Sequence, residues 1–292
     1  MKEGVTMDRT TAYAELVVSG GRMVSRAEYL CCKRHLDDLK KSKSKNFKYF
    51  FDVDEAEKHI QIANLLVVGE GTERKRLTTR GFQNFILGNI FGWKEKGADG
   101  KEPVRRYREA YVQMGRQNGK SFLCGVLCND FATFSGYHYG RIMCTATKQK
   151  QANIVFDEVV KFIDSDKDLA ELYERPRLYT HEIESKVTHS VIEAIGRDTK
   201  TADGFRSILA VVDEYHRHPT NQMYLLMRDG QVSVKNALTI AITTAGFNLN
   251  FPCYEQYKLA KNVVQGNLDF PELFVYIAEA DIPDQREDPE GF

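Results

Sequence analysis

Apolar positions along the chain follow two periods, and the switches between them predict an α/β architecture. Residues 207–212 and 237–242 are apolar almost throughout, the pattern of strands buried on both faces. Residues 107–114 alternate and are rich in strand formers, while 140–145 and 272–278 supply two further strands. Between them, helical spacing marks 121–134, 148–163, 222–228 and 254–264, and a β-rich stretch at 186–195, preceded by Pro176, reads as an insertion. Amphipathic stripes at 29–39 and 53–68 make residues 1–76 a mainly helical N-terminal lead-in, followed by a core over 77–280 and an acidic linker over 281–292. Strands alternating with helices predict three layers, a mainly parallel central sheet with helices on both faces.

Composition narrows the function classes. The 292 residues carry 41 basic and 41 acidic side chains, so a uniformly basic nucleic-acid surface is excluded. Lys33, Arg34, Lys40, Lys41, Lys43, Lys45 and Lys48 crowd one segment against Asp37 and Asp38, which reads as a solvated helix face and a Lys-Ser stretch. No run approaches the roughly twenty apolar residues of a membrane span, and no signal-peptide core opens the chain, so a soluble intracellular protein is expected. The six cysteines lack zinc-site spacing. Cys124 and Cys128 stand one helical turn apart and read as core; His216 and His218 read as loop residues.

The chemistry concentrates where strands end. Gly115-Arg116-Gln117-Asn118-Gly119-Lys120-Ser121 lies between a strand and a buried helix. Glycines let successive N–H groups curl inward, and the helix N-terminus adds partial positive charge, so a polyphosphate fits there. Lys120 would reach the β and γ phosphates of ATP and the Ser121 hydroxyl would ligate Mg²⁺. The spacing departs from the usual phosphate-loop pattern, because Gly115 leaves three residues rather than four before Gly119 and Met114 stands at the first-glycine position. A plain strand-to-helix turn with a surface lysine remains an alternative on these residues alone.

Two further strand ends support the nucleotide reading. At 207–214 an apolar strand ends in Asp213-Glu214, where open α/β sheets present groups to a ligand crevice. Asp213 would hold Mg²⁺ and Glu214 would polarise the attacking water. Thr243-Thr244-Ala245-Gly246 ends another buried strand, with hydroxyls able to hydrogen-bond a γ phosphate.

The succession of Phe82-Gln83-Asn84-Phe85-Ile86-Leu87, the phosphate loop, Thr145-Ala146-Thr147-Lys148-Gln149-Lys150-Gln151-Ala152, Val212-Asp213-Glu214-Tyr215-His216 and Thr243-Thr244-Ala245-Gly246-Phe247 resembles the ATPase half of large terminase subunits from tailed bacteriophages. Its early arginine and late Gly-Lys-Ser are themselves traits of that family. The resemblance implies a P-loop NTPase fold and an ATP-driven motor that moves double-stranded DNA into a procapsid. It also implies assembly as a homo-oligomeric ring on a portal protein, a small terminase subunit as partner, and action in the cytoplasm of the bacterial host. It lends Gln83 the role of reading adenine, Arg116 a place near the phosphates, and Thr243, Thr244 and Gly246 the coupling of hydrolysis to movement. An arginine acting across a subunit boundary is expected too; Arg206 is the choice and Arg197 the rival. The family's nuclease domain is not expected within these residues, so DNA cleavage is not expected either. Another P-loop DNA translocase or helicase-like ATPase is the alternative, and a non-catalytic nucleic-acid-binding protein a more distant one.

Overall fold

The computed structural model describes residues 8–70, 73–97, 102–196 and 206–281. The first part is built from α1 (Arg9–Val18), α2 (Arg26–Ser42), β1 (Tyr49–Phe51), α3 (Val53–Leu65), β2 (Val67–Glu70), β3 (Glu73–Arg76), α4 (Gly81–Gly92), β4 (Trp93–Glu95) and β5 (Val104–Arg105). Side-chain caps set three of these helices: Asp8 accepts from the Thr11 N–H, Ser25 from that of Glu28, and Asp52 from that of Glu55. The expected helical lead-in therefore also carries short strands, because β1, β4 and β5 form a small antiparallel sheet and β2 pairs with β3.

The second part comprises β6 (Glu109–Gln113), α5 (Lys120–Asn129), β7 (Arg141–Ala146), α6 (Gln149–Ser165), α7 (Lys167–Glu171), β8 (Glu182–Glu184), β9 (Val191–Gly196), β10 (Ser207–Asp213), α8 (Gln222–Gly230), β11 (Leu238–Thr243), α9 (Pro252–Val264) and β12 (Leu273–Ile277). Seven strands form one sheet in the order β12-β6-β11-β10-β7-β9-β8, and every pairing is parallel except β8 with β9. The stretch expected as a β-rich insertion is thus corrected: Val191–Gly196 is an interior strand, paired with β7 on one side. Its Glu193 interrupts the apolar run, and that charge is met by Arg141 of β7 at 2.6 Å.

Alternate residues of a strand face opposite sides of a sheet, and here both sides are covered. Cys144 of β7 lies 3.5 Å from Cys128 of α5, whereas its neighbour Met143 packs with Ala210 and with Met227 of α8. Helices α5 and α8 therefore sit on opposite faces. One apolar core extends from Tyr13 of α1 to Ile277 of β12, so the lead-in packs directly on the sheet. Buried Glu28 joins them, accepting from the hydroxyls of Tyr13 and Tyr276 at 2.5 and 2.8 Å. Asp281, the first residue of the expected linker, accepts from the Arg26 N–H at 2.7 Å and so holds the start of α2; residues 282–292 lie outside the described residues.

The basic segment of α2 is largely ion-paired. Lys33 and Lys40 meet Asp37, Lys41 meets Asp38, and Asp38 also receives the buried Arg106 at 2.6 Å.

Helix α5 ends in a single π turn at Asp130–Phe134, and Asp130 enters a buried charge cluster that the sequence pattern concealed. His59 of α3 contacts both carboxylate oxygens of Asp130 through Nδ1, at 2.7 and 2.8 Å, and Glu55 through Nε2 at 3.0 Å. The imidazole stacks on Phe91 with ring centroids 3.7 Å apart. The Arg105 guanidinium lies over Phe91 and Phe131 at 4.9 and 4.8 Å, where burial pushes its pKa down to about 10. Burial also opposes charge on His59, yet Asp130 and then Glu55 outweigh it and raise its pKa, while the His59 hydrogen bond draws Glu55 down to about 2.

Candidate nucleotide site

The C-terminal tips of β6, β11 and β10 stand level because their ladders pair without slippage. Thr243 is opposite Gln113 and Asp213 is opposite Ile242. The loop strand and the acidic strand thus flank the threonine strand, and all three end at the carboxyl edge of the sheet, where doubly wound sheets bind ligands.

The loop leaves β6 at Met114, whose N–H still donates to the Thr243 carbonyl at 3.1 Å. A residue in that bonded, buried position continues the sheet, so the turn proper begins at Gly115. Gln117 and Gly119 adopt left-handed backbone, with φ of 63° and 73°, and α5 begins at Lys120. Residues Gly115, Arg116, Gln117 and Asn118 are exposed, whereas Lys120 is buried and its Nζ bends back to donate to the Gly115 carbonyl at 3.3 Å. Its ammonium is therefore held across the loop. Asn118 bonds within the loop, donating to the Arg116 carbonyl at 3.2 Å. Ser121 follows in the first turn of α5.

Gln83, distant in sequence, reaches this loop from the first turn of α4. Its Oε1 accepts from the Arg80 N–H at 2.8 Å, and its Nε2 lies 3.5 Å from where a Cβ on Gly119 would stand. One end of the amide is anchored and the other faces the loop's last glycine.

Asp213 is buried, and burial followed by the neighbouring Glu214 charge raises its pKa to about 6, with Lys120 and Arg217 pulling the other way. One carboxylate oxygen accepts from the Glu214 N–H at 2.8 Å. Glu214 itself has left-handed backbone, φ 51°, which turns the chain sharply out of β10 into a 3₁₀ turn at Tyr215–Arg217. Its Oε2 lies 3.4 Å from His216 Nε2 and 3.3 Å from Arg217 Nε. A hydroxyl and a carboxylate are the hard oxygen donors that suit Mg²⁺, and a buried aspartate of raised pKa gains most from a nearby cation.

Thr243 and Thr244 are both buried, and Thr243 Oγ1 lies 2.8 Å from the Thr244 carbonyl, within reach of its hydroxyl proton. Gly246 lies against the acidic turn, because a Cβ there would stand 2.8 Å from the Cβ of His216. Of the residues expected in the site, the loop, Gln83, Asp213, Glu214, Thr243, Thr244 and Gly246 thus gather at one edge of the sheet. Arg206 does not. It is exposed and precedes the first residue of β10, at the opposite end of that strand from Asp213; Arg197 lies outside the described residues. Among the described residues no group of three or more His, Cys, Asp or Glu side chains could hold a metal ion. None of the helices described is long and apolar enough to cross a membrane.

Sequence reasoning missed His216, which links Glu214 to the threonines, and the His59 cluster. The one available signal for the latter was Glu55 and His59 one helical turn apart.

Residues 81–262 match the family model described as the terminase large subunit, ATPase domain. Protein YmfN of Escherichia coli (strain K12) is 38% identical over 103 residues, 34% of this chain and 23% of YmfN. The crystal structure of the HK97 bacteriophage large terminase superposes with a TM-score of 0.63 at 19% identity, covering 79% of this chain and 46% of that one. The Thermus phage P74-26 large terminase ATPase domain gives a TM-score of 0.47 at 19% identity, over 61% and 79% of the two chains. The chain thus spans about a quarter of YmfN and under half of the HK97 protein, and the structural likeness concerns fold.

Proposed function

Because the chain belongs to the family of terminase large subunit ATPase domains, we propose that it is the ATP-hydrolysing part of a motor that drives double-stranded DNA into a procapsid. The observation that carries this reading is the convergence of Lys120, Asp213 with Glu214, and Thr243 at the level tips of three adjacent strands. In that reading the loop amides and Lys120 hold the phosphates, and Arg116 adds positive charge beside them. Gln83 turns its free Nε2 end to adenine, where an amide NH₂ can donate to a ring nitrogen. Ser121 and Asp213 would hold Mg²⁺, which when bound neutralises charge developing on the transferring phosphoryl group. Glu214 polarises the attacking water, and Thr243 and Thr244 respond to the terminal phosphate.

Arg206 serves the neighbouring subunit. Its exposure and its distance from its own loop suit a residue that completes a site across a boundary in a ring. The wider setting of the proposal is a homo-oligomeric ring on a portal protein, with a small terminase subunit, in the bacterial cytoplasm.

Steady-state hydrolysis of Mg²⁺-ATP by the purified chain tests the reading. Lys120→Ala is expected to lose nucleotide affinity or turnover. Glu214→Gln should still bind ATP while turnover falls about 10²–10⁴-fold, the usual contribution of a positioned base. Wild-type turnover in Glu214→Gln would remove Glu214 from this role.

A further inference from the structure

His216 occupies the seam between Glu214 and the tip of β11. Its side chain is 11% exposed, and Nε2 lies 3.4 Å from Glu214 Oε2. On the other side Nδ1 is 2.9 Å from Thr243 Oγ1 and 3.4 Å from Thr244 Oγ1. The backbone N–H of the same residue donates to Thr243 Oγ1 at 3.0 Å. Gly246 closes the remaining side, for any Cβ there would press on the Cβ of His216 at 2.8 Å. The ring is therefore fixed against the strand tip while it touches the carboxylate.

The protons at this seam cannot satisfy every contact at once. Thr243 has one hydroxyl proton, and two acceptors compete for it: the Thr244 carbonyl at 2.8 Å and His216 Nδ1. Burial lowers the His216 pKa, Arg217, Arg116 and Lys120 add to that effect, and Glu214 opposes it, which favours the neutral ring with its single proton. If Thr243 donates to Nδ1, the ring proton sits on Nε2 and faces the Glu214 carboxylate, which attracts it. If Thr243 donates to a different acceptor, the short 2.9 Å contact favours a proton on Nδ1, since the Thr244 hydroxyl at 3.4 Å is too long to supply one well. Nε2 then turns a bare lone pair toward Glu214, which repels it.

We propose that His216 is a positioning residue that couples the direction of the Thr243 hydroxyl to the placement of Glu214. It holds the carboxylate while the hydroxyl points at the ring, and it releases the carboxylate when the hydroxyl turns to a competing acceptor such as a terminal phosphate oxygen. The proposal rests on the reading of Glu214 as the residue that polarises water. Arg217 also approaches Glu214, at 3.3 Å, but its side chain is 51% exposed and has no contact with the threonines, so it cannot carry the coupling.

Three substitutions in the full chain separate the two ends of the ring. A glutamine amide reaches about as far as Nε2 and can donate to Glu214; an asparagine amide reaches only the Nδ1 position, and alanine reaches neither. His216→Ala and His216→Asn are expected to lower kcat by about 10²-fold, the cost of misplacing a reacting group by about 1 Å, with KM for ATP unchanged. His216→Gln, which keeps the Glu214 contact but lacks the one to Thr243, should recover part of the loss, and recovery to the full wild-type kcat would show holding without coupling. Wild-type kcat in His216→Ala, recovery by asparagine equal to that by glutamine, or a rise in KM that matches the fall in kcat would each overturn the proposal. Glu214→Gln, measured alongside, distinguishes its failure from failure of the site reading. An inactive Glu214→Gln beside a fully active His216→Ala refutes only the coupling, whereas a fully active Glu214→Gln refutes both.

Discussion

Replacing Asp130 by asparagine removes one charge from the cluster at the end of α5 and changes little else in shape. The Asp130 side chain is 1% exposed and that of His59 is 2% exposed, so neither can recruit solvent as a substitute partner. Glu55 remains on Nε2, but at 32% exposure its contribution is screened. Breaking one partner out of a buried pair costs about 3–5 kcal/mol, and the surviving Glu55 contact argues for the lower end. At about 2–4 °C per kcal/mol for a chain approaching this size, Asp130→Asn should unfold about 6–12 °C below wild type. The sign of the pH dependence follows from the two shifts. The raised His59 pKa contributes stability that is complete below the ordinary histidine value and is lost as pH rises through the raised one. The depressed Glu55 pKa contributes stability present above the ordinary glutamate value and lost as pH falls toward about 2. The gap between wild type and variant should thus be widest between about pH 4.5 and 6.5 and narrow as pH rises through the raised His59 value. Thermal unfolding by circular dichroism, from pH 5 to 9, measures this. A variant that melts with wild type, or a gap that does not change with pH, would refute the reasoning.

Other expectations are simpler to read. Gly119→Ala places a side chain at φ 73°, a left-handed conformation that costs about 1–2 kcal/mol, so nucleotide affinity measured by fluorescent-ATP titration should fall; unchanged affinity would show that the loop tolerates another backbone path. Arg206→Ala should bind ATP normally as a monomer yet lose activity in assembled rings, and mixing it with Glu214→Gln subunits should restore part of that activity. No recovery despite demonstrated mixed assembly would show that Arg206 works in its own subunit or not at all. Plasmid incubated with the protein and Mg²⁺ or Mn²⁺ should stay supercoiled; copurifying nicking that disappears in Asp281→Ala would contradict that.

The sequence made the site legible wherever a local pattern carries the chemistry. Apolar runs ending in Asp213-Glu214 and Thr243-Thr244 are strand tips, and a glycine turn into a buried helix starts at Lys120 because backbone rules act over a few residues. Gln83 was legible only through the family's motif order, since its approach to Gly119 depends on how α4 packs. Val191–Gly196 was misread as an insertion because Glu193 breaks the apolar run, and its partner Arg141 lies on another strand. His59 and Asp130 were invisible for the same reason: each is an ordinary polar residue on its own helix, and only tertiary packing brings them to 2.7 Å. His216 looked like a loop histidine because Thr243, which fixes its ring, belongs to another strand.

Helix α5 begins in the phosphate loop at Lys120 and runs directly into the turn that Asp130 anchors to His59 of α3. Mechanically it is a strut about 15 Å long, pinned at both ends. Such a member resists sliding along its axis, because axial travel would pull a buried charge from its counterpart. A displacement that starts at the loop would therefore pass along α5 to α3 and the lead-in as a push, with the His59 contact as its bearing.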